Sequence, residues 1–293
     1  MALSIHTNYS SLIANTSLNK SNNALSVNQQ RLSTGLRINS AADDAAGLQI
    51  ATRLNAQSRG MSVAMRNTND AVSLLQTAEG AFSEMTDIVQ RMKDLATQSA
   101  NDTNSTDDRT ALQAEYDELG KELNNIMKNT SYAGEKLFDV AGTGGKFGAA
   151  VNFQIGATGD EALSLDATEA VSGLAEALSG AVATYDDPTI TSGGTEITTT
   201  AGATGKIDEL ADALDSIGTL RAQFGANINR LSHTYNNLAN MKDNTDMAKG
   251  RIMDADFASE SANMTKNSML MQSGISMLKQ AGQMPGMVMS LLG

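Results

Sequence analysis

Apolar residues return every seven positions at both ends of this chain, and that period limits what it can fold into. Near the start, Leu18, Leu25 and Leu32 keep the spacing, with Asn15, Asn19, Asn22, Asn23 and Asn28 between and around them. A longer seam follows through Leu54, Met61, Thr68, Leu75, Phe82 and Val89. Beside it runs a second line, Ala64, Ala71, Ala78, Met85 and Met92, widened by Ile50, Val72, Ile88 and Leu95. The period resumes late in the chain at Leu210, Ile217, Phe224, Leu231 and Leu238, flanked by Ile207, Leu214, Ile228 and Tyr235 and interrupted by Arg221. It ends with Phe257, Met264, Met271 and Leu278, joined by Ile275. A sustained seven-residue repeat keeps one stripe of a helix facing another helix. The chain is therefore predicted to be mainly α. Its long antiparallel helices should show coiled-coil packing of the N- and C-terminal segments.

Breakers are placed to allow this. The two prolines are Pro188 and Pro285, and a proline costs about 3 kcal/mol inside a helix. A helix from about residue 44 to 100 would span roughly 80 Å at 1.5 Å per residue. The first helix should loosen at Gly35, and Ser40-Ala41-Ala42-Asp43 reads as a capping box opening the next. Pro285 should end or kink the last helix. The N-terminal stripe is thin and very polar, so it should order only on packing. With no Trp and six Phe, the chain should bury thin seams rather than one thick core.

Between the seams the pattern changes. Asn101 to Asp107 reads as a turn. A return helix carries Leu112, Leu119 and Ile126 on one line and Tyr116 and Leu123 on another. Residues 129–205 are rich in Gly, Thr and Ala. Val151 to Ile155 alternates as a strand and could pair with Ala162 to Leu165 as a hairpin. Ala170 to Leu178 reads as a short helix, and Tyr185 to Thr204 as a flexible loop.

Several functions are excluded or left without support. A net charge of −12 repels a phosphate backbone, so no nucleic acid is expected as a partner. No run approaches the roughly 20 apolar residues of a membrane span, and Met1 to Ser17 does not read as a classical secretory signal. Zero Cys removes disulfides and thiolate chemistry. Gly142 to Phe147 fails the spacing of a phosphate-binding loop and reads as a flexible loop. Asp254-Ala255-Asp256 lacks the remaining ligands of a calcium loop and reads as an exposed helix start. His6 and His233 have no nucleophile or metal partners at any motif spacing. No enzyme activity, cofactor or metal is expected. The Met-rich C-terminal segment reads as seam filler in an interface between copies, with an adaptable binding surface as the alternative.

The residues quoted so far resemble one family. Gln29 through Ser40 and Asp43 through Gly47 look like the N-terminal signature of bacterial flagellins, as do Gln90 through Ala96 and Gln98 through Asn101. Leu220-Arg221-Ala222, Gly225 through Leu231, Asp254 through Glu260 and Met287 through Gly293 match the family's other end. Phe153 through Gly156 resembles its central hairpin.

That resemblance implies an inner coiled-coil layer from residues 1–44 and 250–293, and a helical rod from 45–138 and 206–249. A short, surface-facing variable region with a β-hairpin would occupy 139–205. It implies a secreted, extracellular subunit that self-assembles into the flagellar filament for motility. Its partners would be copies of itself, the hook–filament junction and filament cap proteins, and an export chaperone at the C-terminal helix. The flagellin-sensing Toll-like receptor would be a further partner, with Arg91, Leu95 and Glu115 at the contacting positions. Asp94 and Lys93 depart there from the residues common in receptor-competent members. A hook–filament junction protein, which shares the terminal architecture, is the alternative. The assembly seam would comprise Leu18, Leu25, Leu32, Leu54, Leu75, Phe82, Leu210, Ile217, Phe224, Leu231, Leu238, Phe257, Met264, Met271 and Leu278.

Overall fold

The computed structural model describes residues 8–186 and 194–292, the latter without side chains at 284, 285 and 287–292. Among the described residues there are seven helices: α1 (Tyr9–Thr34), α2 (Ala45–Ser99), α3 (Thr106–Asn129), α4 (Thr168–Ala181), α5 (Ala183–Asp186), α6 (Thr200–Met253) and α7 (Phe257–Leu292). Two antiparallel hairpins lie between α3 and α4. They are β1 (Ser131–Tyr132) with β2 (Glu135–Lys136), and β3 (Val151–Gln154) with β4 (Ala162–Leu165). The second has the predicted strands, with Val151 opposite Leu165 and Gln154 opposite Ala162. The contacts divide the chain into two units, residues 1–58 with 243–293, and residues 59–242.

In the terminal unit, α1 packs along α7. Asn8 caps α1 by accepting from the Ser11 N–H at 3.0 Å. Gly35 closes the helix in the left-handed region at φ 70°, donating to the Arg31 carbonyl at 2.8 Å; glycine holds that conformation without a Cβ penalty. The chain then bonds α7's approach directly. Arg37 N–H reaches Met253 O at 2.6 Å, and Ala255 N–H reaches Gly35 O at 2.9 Å. The carboxylate of Asp256 opens α7 by accepting from Ala258 and Ser259 N–H.

The capping expectation fails in this unit. Ser40 and Asp43 do bond, but the Asp43 carboxylate turns back onto the Asn39 and Ser40 N–H groups and closes a turn. Asp44 is the cap, accepting from Gly47 N–H at 2.8 Å, and α2 starts one residue beyond it. Of the two outcomes expected at Pro285, an end does not occur: the last helix runs on to Leu292. A proline removes one N–H bond, and the bonds on either side carry the helix past it. Within this unit Ser58 also donates to Asp246 at 2.8 Å.

In the other unit the seams close as the period requires. Met61, Thr68, Leu75, Phe82 and Val89 are buried, and so are Ala64, Ala71, Ala78, Met85 and Met92. α3 contributes Tyr116, Leu123 and Met127, and α6 contributes Leu210, Ile217, Phe224 and Leu231. Leu238 closes a small cluster with Met61 and Ala64. Arg221 breaks the second α6 line because it leaves the core to donate to Glu79 at 3.0 Å.

This core is thicker than a seam. Four of the six phenylalanines meet in it. The Phe82 ring lies 4.9 Å from Phe138 and 5.6 Å from Phe224, and Phe147 lies 5.6 Å from Phe138 and 5.0 Å from Phe224. Phe138 follows β2, and Phe147 sits in a 3-10 turn, Lys146–Gly148. The Gly142 to Phe147 stretch is thus a tight hook carrying a buried ring. At Gly145, φ is 73°, and an added Cβ would meet the Leu137 carbonyl oxygen at 2.7 Å. Few aromatics gave a thick core because they are gathered at one level.

The reading of Tyr185 to Thr204 as a flexible loop is also corrected at its described residues. Tyr185 is fully buried and donates to Val140 O at 3.0 Å. Ile197 and Ala203 are buried, and α6 begins at Thr200. Residues 187–193 of that stretch lie outside the described residues. The region 139–205 therefore faces inward at many positions, adding Leu163, Leu165, Val171, Leu174, Leu178 and Val182 to the core. Its composition is weakly apolar, but its few large residues recur at strand and helix spacing and point one way.

Candidate functional site

Two places combine predicted functional residues with distinctive geometry. The first is the helix pair of the terminal unit. Leu18, Leu25 and Leu32 on α1, and Met264, Met271 and Leu278 on α7, are half-buried. At mid-height the pair is close: a Cβ added at Gly274 would lie 3.3 Å from Leu18 Cδ1. Asn8 donates to Ala281 O at 2.6 Å at the other end. Leu54 is half-buried. Phe257, predicted for the seam, is instead 57% exposed beside Gly35. It opens α7 one turn before the seam is engaged, and the first buried position of that helix is Glu260. Ile50, predicted to widen the α2 seam, is 44% exposed.

The pair also holds polar groups that sequence reading missed. Arg31 donates to Glu260 at 3.0 Å. Asn28 is buried on α1, and its side-chain nitrogen has no partner. The signal was present: Asn28 stands three residues after Leu25 and four before Leu32, a seam position. A polar residue there lowers stability but fixes how helices align.

The apolar surface is unevenly shared. The terminal unit exposes Tyr9, Leu12, Ile13 and Val27 on α1, together with Ile50 and Met247. It also exposes Phe257, Met269, Leu270, Ile275 and Met277 on α7. Among the described residues, the other unit exposes only Val63 and Met241 of this class. A soluble chain leaves so much large apolar side chain on one helix pair when something else covers it.

The second place is the α2–α3 surface. Arg91 donates through Nε and a terminal nitrogen to one Glu115 oxygen, at 2.9 and 2.6 Å, and both side chains are half-exposed. Leu95 does not share that surface. It is 1% exposed, within the core. Four residues advance a helix by slightly more than one turn, enough here to carry Leu95 from the rim into the seam.

Lys146 pairs with Glu135 at 2.7 Å, and its neighbour Phe147 is buried. His233 is exposed, and His6 lies outside the described residues. Among the described residues no group of three or more His, Cys, Asp or Glu could hold a metal ion. In that same set no helix is long and apolar enough to cross a membrane. A groove of about 300 Å³ lies between α2 and the second hairpin, lined by Asn67, Asp70, Leu74, Tyr132, Lys146 and Phe153. One buried polar cluster is structural: Gln113 donates to both Asp117 and Glu196, at 2.7 Å each, and Asp117 accepts from Gly194 N–H. Burial pushes the Asp117 carboxyl above its ordinary range.

Paired chain ends, a helical core and apolar faces left open on the paired ends define a structural protein built for association. The family is fixed by comparison. Residues 5–143 match the bacterial flagellin N-terminal helical region, and residues 206–292 match the bacterial flagellin C-terminal helical region. Polar flagellin C of Vibrio parahaemolyticus is 37% identical over 389 aligned residues, covering 100% of both chains. Flagellin A of Vibrio anguillarum is 37% identical over 384, again covering 100% of both. The chain belongs to the bacterial flagellin family, whose members are structural subunits of the flagellar filament. These alignments run longer than the 293 residues here, so both relatives carry residues that this chain lacks.

Two solved structures are also similar. A putative flagellar hook-associated protein from Vibrio parahaemolyticus has a TM-score of 0.57 at 14% identity, covering 72% of this chain and 100% of that one. It shares the fold. The crystal structure of Bacillus cereus flagellin has a TM-score of 0.49 at 31% identity, covering 59% of this chain and 88% of that one.

Proposed function

We propose that this chain builds the filament by polymerising through its terminal unit, with α1 and α7 meeting copies of themselves in an inner layer. Residues 1–44 and 250–293 form that layer, 45–138 and 206–249 the surrounding rod, and 139–205 the outer region. The observation that carries this is the crowding of exposed large apolar residues onto the α1–α7 pair. Burying such a side chain against a neighbour is worth roughly 1.5–3 kcal/mol, so several per subunit are enough to drive assembly. Deleting residues 1–30, or separately 264–293, should leave soluble monomer whose residues 59–242 stay helical by circular dichroism. Electron microscopy after seeding reads the outcome, and normal filaments from either truncation would overturn the reading.

Family membership supports the finer parts. The chain is secreted through the flagellar export apparatus, and a chaperone holds the apolar C-terminal helix beforehand. In the flagellum it meets the hook–filament junction and the cap. It is also a ligand of the flagellin-sensing Toll-like receptor, through the exposed Arg91–Glu115 pair, with Leu95 supporting that surface from beneath. A junction protein is not favoured, since the likeness to a hook-associated protein is one of fold at 14% identity.

A further inference from the structure

Sixteen methionines and no cysteine or tryptophan leave the thioether as the main oxidisable side chain of this protein. Those methionines are not equally reachable. In the 59–242 unit, Met61, Met85, Met92 and Met127 are buried at 0–1% exposure, and Met241, next to the unit's end, is 39% exposed. In the terminal unit, Met247, Met269 and Met277 are 59%, 60% and 67% exposed. Met264 and Met271, on the seam with α1, lie between these extremes.

We propose that Met247, Met269 and Met277 form an oxidant-sensitive set, and that their conversion to sulfoxide by a peroxide switches off self-association while leaving the 59–242 core intact. This rests on the assembly reading above. Met269 and Met277 are eight residues apart, about two helical turns, on the part of α7 turned away from α1. Exposed Leu270 and Ile275 accompany them. In the reaction a sulfur lone pair attacks one peroxide oxygen. The O–O bond breaks as the S–O bond forms. The proton on the transferred oxygen passes to the departing oxygen, so sulfur is oxidised and the peroxide is reduced to water. The product is a polar, chiral sulfoxide in place of an adaptable apolar group, a change that disrupts Met-rich interfaces. Buried methionines are shielded because susceptibility follows exposure. The same faces, once covered in a polymer, become protected, so the device acts on monomer.

The test uses full-length monomer and hydrogen peroxide. Peptide mass mapping over time should show oxygen gained at Met247, Met269 and Met277 before Met61, Met85, Met92 and Met127. Seeded elongation should then slow about tenfold, the effect of a modest loss of contact energy, while the thermal transition of the core is unchanged. Treatment with methionine sulfoxide reductases should restore elongation, and M247L/M269L/M277L should elongate equally before and after peroxide. Equal oxidation rates at buried and exposed sites would overturn the proposal. So would undiminished elongation by oxidised wild type, failure of reductase repair, or an equal loss in the triple variant. If untreated wild type fails to extend any seed, the assembly reading falls and takes the switch with it. The oxidation map remains readable in that case, which separates the two failures.

Discussion

Arg31 donates to the carboxylate of Glu260 at 3.0 Å, joining the last turn of α1 to the first turn of α7 across 229 residues of sequence. Each charge also suits its own helix end, a cation at a C-terminus and an anion at an N-terminus. Glu260→Ala should leave Arg31 without that partner in a mostly buried site, costing roughly 1–3 kcal/mol. Amide hydrogen exchange in α1 and α7 reads this locally. Arg31→Ala/Glu260→Ala should cost less than the sum of the single changes, because the two residues share one bond. Additive losses would show that the pair is not coupled.

Phe224 touches both Phe82 and Phe147 in the aromatic cluster and is fully buried. Phe224→Ala should destabilise the 59–242 unit by about 3–5 kcal/mol, read by urea unfolding. The 185–204 stretch is no longer a neutral control. Tyr185→Phe should cost about 1 kcal/mol by orphaning the Val140 carbonyl. An unchanged midpoint for Phe224→Ala would place the ring outside the core.

Ser105 and Asp108 form a reciprocal cap on α3. The Ser105 hydroxyl, then its N–H, holds the Asp108 carboxyl below its ordinary value of 3.8. A carboxyl lowered in the folded state contributes stability above its unfolded pKa and loses it as pH falls through the folded value. Asp43, held down by the Ser40 N–H and then its hydroxyl, behaves likewise. Asp117 has the opposite sign: burial raises it, so stability falls as pH rises through its raised folded value. Ser105→Ala should lower stability near neutral pH and flatten the loss expected as pH falls through the lowered Asp108 value. Proton titration of Asp108 by NMR supplies the check, and an unmoved pKa in the variant would refute the cap.

If Arg91 and Glu115 face the receptor, Arg91→Ala monomer should lose potency on reporter cells, since a charged anchor can carry about 2 kcal/mol or more. Leu95→Ala tests the other half. Leu95 is buried, so its loss should appear first as roughly 2–5 kcal/mol of stability, with potency following unfolding. Wild-type potency for Arg91→Ala would end the carry-over, and potency loss by a fully stable Leu95→Ala would contradict Leu95's place in the core.

The helical period was enough to place α2, α6 and their buried faces, because it is set by local geometry that no partner can alter. Val151 to Leu165 showed its hairpin through alternation for the same reason. Phe257 and Ile50 followed the period but lie exposed, because a stripe states which side chains share a face and not where the facing helix begins. Spacing along the chain assigned the α2 cap to Ser40 and Asp43, but the Asp43 carboxylate is taken up by the Asn39 and Ser40 N–H groups and Asp44 accepts from Gly47 N–H instead.

What the sequence determined alone was therefore the repeating stripes, the central hairpin and the family to which the chain belongs. Only the tertiary structure gathered Phe82, Phe138, Phe147 and Phe224 into one cluster, since their proximity depends on how the chain folds back between them. It also drew Tyr185 and Ile197 inward and paired Arg31 with Glu260. It also decided between two places for Leu95, the α2 seam that its period gave and the exposed surface that the family resemblance implied, in favour of the seam. Each of these depends on which segments meet in space, and a period read along one helix contains no information about its neighbour.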